Sequence, residues 1–191
     1  MSSKSLPIRI LFLFSLALYP VLVFFGLRHL PPGAIGLLLL VLLAFRFGVL
    51  SPEEKPVLVP MLLIFMAYAA ITVATGSETL LLGYPALVNF SLAVIFANSL
   101  RQPEPLLLRL VRARKMTISP YAPRYLFWLT ATWAVFFVIN GSIAVWTTTR
   151  PIEIWTLYNG LIAYMAAGTL MAGEYLFRIY YKKRKNIAND E

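Results

Sequence analysis

Residues 125–149 read YLFWLTATWAVFFVINGSIAVWTTT, 25 consecutive positions without a charge. About 20 residues of helix cross a bilayer core, so this stretch can span one alone. It lacks the alternation of a barrel strand, and a run of this kind must satisfy its backbone groups internally, so it predicts a helix. Similar runs repeat along the chain. Ile10 to Leu27 gives 18 uncharged residues, Pro56 to Ser77 and Thr79 to Leu100 give 22 each, and Ile154 to Gly173 gives 20. A further run, Leu30 to Leu50, is interrupted by charge only at Arg46. The sequence therefore predicts an all-α polytopic membrane protein. Its six transmembrane helices are expected over about 8–27, 33–50, 57–76, 81–99, 125–147 and 153–176, in a single transmembrane domain.

Composition points the same way. Of 191 residues, 60% are hydrophobic and 13% charged, with a mean hydropathy of +0.76; a soluble domain of this size needs far more surface charge. The absence of Cys excludes disulfides and thiolate metal sites. The lone His29, beside Arg28 at the outer boundary, leaves little for a His-based catalytic or metal centre and reads as a loop residue. No phosphate-cradling glycine motif, zinc-protease helix motif or cluster of intramembrane carboxylates is present, so the expectation is no enzyme, no cofactor and no metal. The net charge of +9 could suggest nucleic acid, but the basic residues lie between apolar runs. Anionic lipid is the expected counter-charge, with a membrane or cytoplasmic protein as a further partner and nucleic acid excluded.

The basic residues also set topology. With a cytoplasmic N-terminus, 15 of the 17 Lys and Arg fall inside, and only Arg28 and Arg150 fall outside. That asymmetry supports an even number of spans with both termini cytoplasmic. The first apolar run is too long for a signal-peptide core and lacks a small-x-small cleavage site, so it reads as a retained anchor, kinked at Pro20. Pro31-Pro32-Gly33 and Arg150-Pro151 read as outer turns, and Ser51-Pro52-Glu53-Glu54 as an inner helix start.

The one long connection is the basic cytoplasmic loop 101–124. Within it, residues 105–115 form an amphipathic pattern, with Leu106, Leu107, Leu110 and Val111 near one side and Arg109, Arg112 and Lys115 on another. Arg109, Arg112, Arg114 and Lys115 can contact lipid head groups, bind a partner, or only fix topology; the terminal Lys182 to Lys185 cluster has the same ambiguity, with topology favoured.

Polar residues inside the spans are costly and so informative. Asn89, Asn140 and Asn159 lie seven, seven and six residues from outer ends placed near Leu82, Thr147 and Glu153. That is about 9 to 10 Å deep at 1.5 Å per residue, with Tyr68 at a similar depth. One shared layer suggests either hydrogen-bonded glue between helices or an outward-opening polar pocket. Glu174 and Arg178, one turn apart, form an expected intramembrane ion pair, which Arg46 could also approach. Trp128, Trp133, Trp146 and Trp155 read as interface anchors, and Gly160, Gly168 and Gly173 as close-packing positions.

Trp133-Ala-Val-Phe-Phe-Val-Ile-Asn140-Gly141, after a basic loop containing Pro105-Leu-Leu-Leu-Arg109, resembles the intracellular septation protein A family of small bacterial inner-membrane proteins. Trp155-Thr-Leu-Tyr-Asn159-Gly160 and Glu174-Tyr-Leu-x-Arg178 are similar to uncharacterised membrane proteins encoded near aryl-polyene or fatty-acid-type synthesis genes, sometimes labelled ketosynthase. The resemblance implies a multi-pass protein of the bacterial inner (plasma) membrane, linked to the cell envelope. A ketosynthase reaction is physically untenable, because it needs an activated nucleophile that a Cys-free chain with no soluble domain does not offer. The expected function is a non-catalytic accessory or scaffold protein supporting envelope or lipid-linked and polyene synthesis. The alternative is a small transporter or lipid flippase with a polar site at Asn89, Asn140 and Asn159.

Overall fold

A computed structural model describes residues 19–48, 55–113 and 122–184. Every regular element among them is helical, with no strand. In chain order these are α1 (Tyr19–Gly26), α2 (Pro32–Gly48), α3 (Lys55–Thr75), α4 (Glu78–Ser99), α5 (Leu106–Ala113), α6 (Ala122–Thr147) and α7 (Ile152–Leu157), followed by a π-helical turn (Tyr158–Ile162) and α8 (Ala163–Arg184). Three helices, Glu78–Ser99, Ala122–Thr147 and Ile152–Tyr180, are long and apolar enough to cross a membrane; Pro32–Phe45 and Val59–Thr75 are shorter apolar helices. Most of the first expected span, the Ser51 to Glu54 start and the Arg114, Lys115 and Lys185 positions lie outside the described residues, whereas Pro20 is the buried second residue of α1. The last helix runs on to Arg184, eight residues past its expected end at 176. Lys182, Lys183 and Arg184 thus fall in its final turn.

The chain divides into two compact units, Met1–Leu87 with Ala144–Leu161, and Val88–Ile143 with Ile162–Glu191. In the first, Ile35, Leu39 and Leu43 recur at four-residue spacing on α2 and are buried, as are Leu62, Phe65, Ala69 and Thr72 on α3. Both helices thus present one stripe inward. They pack closely enough at Gly36 that a methyl group there would meet Thr72 at 3.2 Å. The other faces stay apolar and open: Leu37, Leu38, Val41, Leu63, Ile64 and Ile71 are all exposed. That distribution suits a lipid solvent, in which exposing Leu or Ile costs nothing.

The α3–α4 connection is closed by local chemistry. Gly76 takes a positive φ of 59°, which glycine adopts without a Cβ clash. Its N–H donates to the Thr72 carbonyl at 2.9 Å. Ser77 then caps α4, its hydroxyl accepting the Leu80 N–H at 3.3 Å, with Glu78 in the positive first turn. Between α6 and α7, the Thr147, Thr148 and Thr149 hydroxyls each donate to the carbonyl three residues back. They add to the Thr148 and Thr149 N–H groups, which also reach the Val145 and Trp146 carbonyls, so the helix end is satisfied before Pro151 starts the next helix.

Candidate functional site

The polar side chains inside the apolar helices form local clusters in each unit. In the first unit, Asn159 is 5% exposed and sits in the π-helical turn. Its amide donates to the Thr147 hydroxyl at 3.1 Å and to the Trp155 carbonyl at 2.9 Å. Trp155 is fully buried, and its indole N–H donates to the Leu82 carbonyl at 2.9 Å. Trp155 therefore ties α7 to α4 from inside the protein, which corrects the expectation that it anchors at a lipid interface. An indole buried with its one donor satisfied contributes packing and orientation together. Next to it, the Thr156 hydroxyl is buried with no hydrogen-bond partner.

Tyr68 lies nearby in sequence logic and in the same unit. Its hydroxyl donates to the Leu80 carbonyl at 2.7 Å, and its own carbonyl accepts the Thr72 hydroxyl at 3.0 Å. Gly83 makes that reach possible, since a methyl group there would fall 2.5 Å from the Tyr68 oxygen.

In the second unit, the Asn140 amide donates to the Asn89 side-chain carbonyl at 2.9 Å, joining α4 to α6. Gly141 allows the approach: a Cβ there would meet the Asn89 Cβ at 3.1 Å and the Phe90 ring at 3.2 Å. A second contact between the same helices packs Phe96 edge-on against Phe137, with ring centres 5.3 Å apart. Of the four residues expected in one layer, Asn89 and Asn140 thus meet each other, while Asn159 bonds Thr147 and Trp155, and Tyr68 bonds Leu80.

Glu174 and Arg178 pair at 3.7 Å. The partner that sequence reasoning missed is Tyr125, whose hydroxyl donates to the same Glu174 oxygen at 2.7 Å, while its ring stacks on Phe177. The signal was available: a short turn joins α6 to the continuous span Ile152–Tyr180 that ends in α8, so the start of one can meet the end of the other. Glu174 is only 19% exposed.

The remaining expected anchors and packing positions divide. Trp128 is exposed, and Trp146 is half-exposed with the Arg150 guanidinium 4.4 Å from its ring centre. Arg28 covers Phe24 in the same way. Trp133 packs among Phe136 and Phe137. Gly168 and Gly173 face open space, so the expectation that they pack helices closely is not met within this chain. Among the described residues, no group of three or more His, Asp or Glu is placed to hold a metal ion.

The amphipathic segment is a real helix, α5, but its faces differ from expectation. Leu108 is its buried residue, at 3% exposure, whereas Leu110 is 52% exposed. The Arg112 guanidinium pairs with Glu104, and Arg109 is exposed. The helix is tethered by Ser99, whose hydroxyl donates to the Phe96 carbonyl at 2.7 Å and accepts the Leu106 N–H at 3.1 Å.

No family model, curated protein or solved structure matches the chain.

Proposed function

We propose that this is a non-catalytic accessory or scaffold protein of the bacterial inner membrane, crossing it six times with both termini cytoplasmic and supporting envelope or lipid-linked and polyene synthesis. The observation that carries the reading is the way intramembrane polar groups bind one another. Asn140 bonds Asn89, Asn159 bonds Thr147 and Trp155, and Tyr125 bonds Glu174. Amides and hydroxyls engaged in this way hold helices in register. Two further supports are the lopsided distribution of Lys and Arg along the sequence and the resemblance of the second half to small inner-membrane proteins. A scaffold also needs outward surface, and from Ala163 to Tyr180 no residue is buried.

Photoreactive groups at Met165 and Leu176 in native membranes test the scaffold role. A reproducible protein adduct is expected, and recovery of phospholipid adducts alone overturns it. Reporter tags at the two termini are expected on the cytoplasmic side, and tags on opposite sides overturn the six-span topology.

A second reading, a small transporter or lipid flippase, is favoured by the π-helical turn at Tyr158–Ile162. Interrupted helices often mark functional sites, and transporters place substrates at them. Alanine at Asn89, Asn140 and Asn159 together separates the two: lost substrate movement in a normally folded protein selects transport, and weakened folding or assembly alone selects scaffolding.

A further inference from the structure

We infer that α5 is a binding site for the anionic head groups of phospholipid, seated with one flank against the protein and the adjoining flank in the lipid. The inference rests on the membrane reading above but not on the scaffold role.

At about 100° per residue, Leu107, Leu108 and Val111 share one arc of α5, Leu106 and Leu110 fill the next, and Arg109 and Arg112 take what remains. The protein covers the first arc most fully at its edge beside Arg112, for Leu108 is buried, Leu107 and Val111 are part-buried, and Leu110 on the far side is half-exposed. An apolar surface wider than the protein covers, bounded by arginine, is the pattern of a helix lying in a membrane interface. A cytoplasmic acidic partner would engage Arg109 and Arg112 but gives no reason for the exposed leucine flank.

Position along the membrane normal supports the same occupant. α4 is long and apolar enough to cross a bilayer. The Leu106 N–H bonds the Ser99 hydroxyl in its last turn, so α5 begins at the level where that helix ends. Head groups are found at that level.

Charge completes the case. Residues 101–124 contain Arg101, Arg109, Arg112, Arg114, Lys115 and Arg124 against a single acidic residue, Glu104. Glu104 is paired with Arg112, while Arg109 has no ion pair among the described residues. Arg109 is therefore the cation presented to a lipid phosphate, and Glu104 limits what Arg112 adds. This arrangement separates binding from topology alone, because a residue that only fixes orientation during insertion has no reason to respond to Glu104 in the folded protein.

The chain has no Cys, so Leu110→Cys and Arg109→Cys each give one clean labelling site in the full-length protein. With nitroxides attached and the protein in vesicles of phosphatidylcholine mixed with phosphatidylglycerol, the label at 110 should collide with oxygen dissolved in lipid. The label at 109 should collide with a water-soluble nickel chelate. In a second measurement, native mass spectrometry of the purified chain should find phosphatidylglycerol retained over phosphatidylcholine. Arg109→Ala should lower that preference by about fivefold, from the usual attraction of one basic residue to an anionic surface, while Arg109→Lys keeps most of it. Glu104→Gln, which releases Arg112, should raise it. Equal retention of the two lipids, a water-exposed label at 110, or no response to either Arg109→Ala or Glu104→Gln overturns the site. Extraction of the chain by alkaline washing would instead overturn the membrane reading itself.

Discussion

The last candidate span behaves as two different helices joined at a π-turn. Its first part buries Trp155 completely and Asn159 nearly so, with every polar hydrogen of the Asn159 amide engaged by Thr147 and the Trp155 carbonyl. From Ala163 to Tyr180 it buries nothing, and Met165, Met171, Leu176 and Ile179 point away from the chain. In water the second part would be a fault. In lipid the two parts follow one tendency, that polar groups gain from partners and apolar groups do not need them, with the buried Thr156 hydroxyl the exception. Sequence hydropathy cannot separate them, because both are apolar helix with few charges, Glu153 in the first and Glu174 and Arg178 in the second; the separation comes from which side chains carry a hydrogen to place.

Substitutions can test that contrast. The largest effect is expected at Trp155→Ala. In soluble cores such a change costs about 3–5 kcal/mol. Here the unfolded reference is also apolar, so the transfer part shrinks, and the cavity with the lost bond to Leu82 leaves about 2–3 kcal/mol. Denaturant titration in mild detergent checks it, and a loss below about 0.5 kcal/mol would mean that Trp155 is not the core residue described. Asn159→Ala should follow at about 1–2 kcal/mol, since it removes two bonds, to the Thr147 hydroxyl and the Trp155 carbonyl, and leaves a gap at a buried position. Asn140→Ala removes one inter-helix bond and should cost about 0.6 kcal/mol, and a double-mutant cycle with Asn89→Ala should recover that value as coupling. Additive single effects would mean that the pair does not act together. Leu176→Ala, on the exposed part, should change stability by less than about 0.5 kcal/mol. A large loss there would show that another surface covers this helix and would erase the contrast.

Gly141→Ala sharpens the same comparison in the second unit. A gain in helix propensity of about 1 kcal/mol opposes the contact with Asn89 and Phe90. Phe90 is partly exposed and can swing, whereas the Asn89 Cβ is fixed to its backbone. The expected outcome is near-neutral stability with the Asn140–Asn89 coupling weakened, read from the same double-mutant cycle repeated in the variant.

The helical fold was legible in the sequence because length and lack of charge suffice to specify apolar helices. Residues 125–149 read correctly on both counts, as the helix Ala122–Thr147 shows. The polar layer was half legible. Counting residues from a span's end gives depth, and Asn89 and Asn140, counted to the same depth, bond each other. It gives no angle around the helix and assumes a constant rise, which the π-turn at Asn159 breaks. Trp155 was misplaced for a related reason: tryptophan suits both a lipid boundary and a buried hydrogen-bonding post, and only the carbonyl of Leu82 decides between them. Tyr125 was missed because its partner is 49 residues away, a pairing that follows from the antiparallel hairpin rather than from any local motif.

One oxygen atom, that of Ser99, bonds both the last turn of a long apolar helix and the first turn of a short surface helix. Such a joint works as a hinge pin: leaning the long rod drags the short blade with it, so bilayer thickness and the attitude of the blade become a single mechanical coordinate. Polarised infrared measurements in thin and thick bilayers should find the two tilts changing together in the intact protein and independently once Ser99→Ala removes the pin.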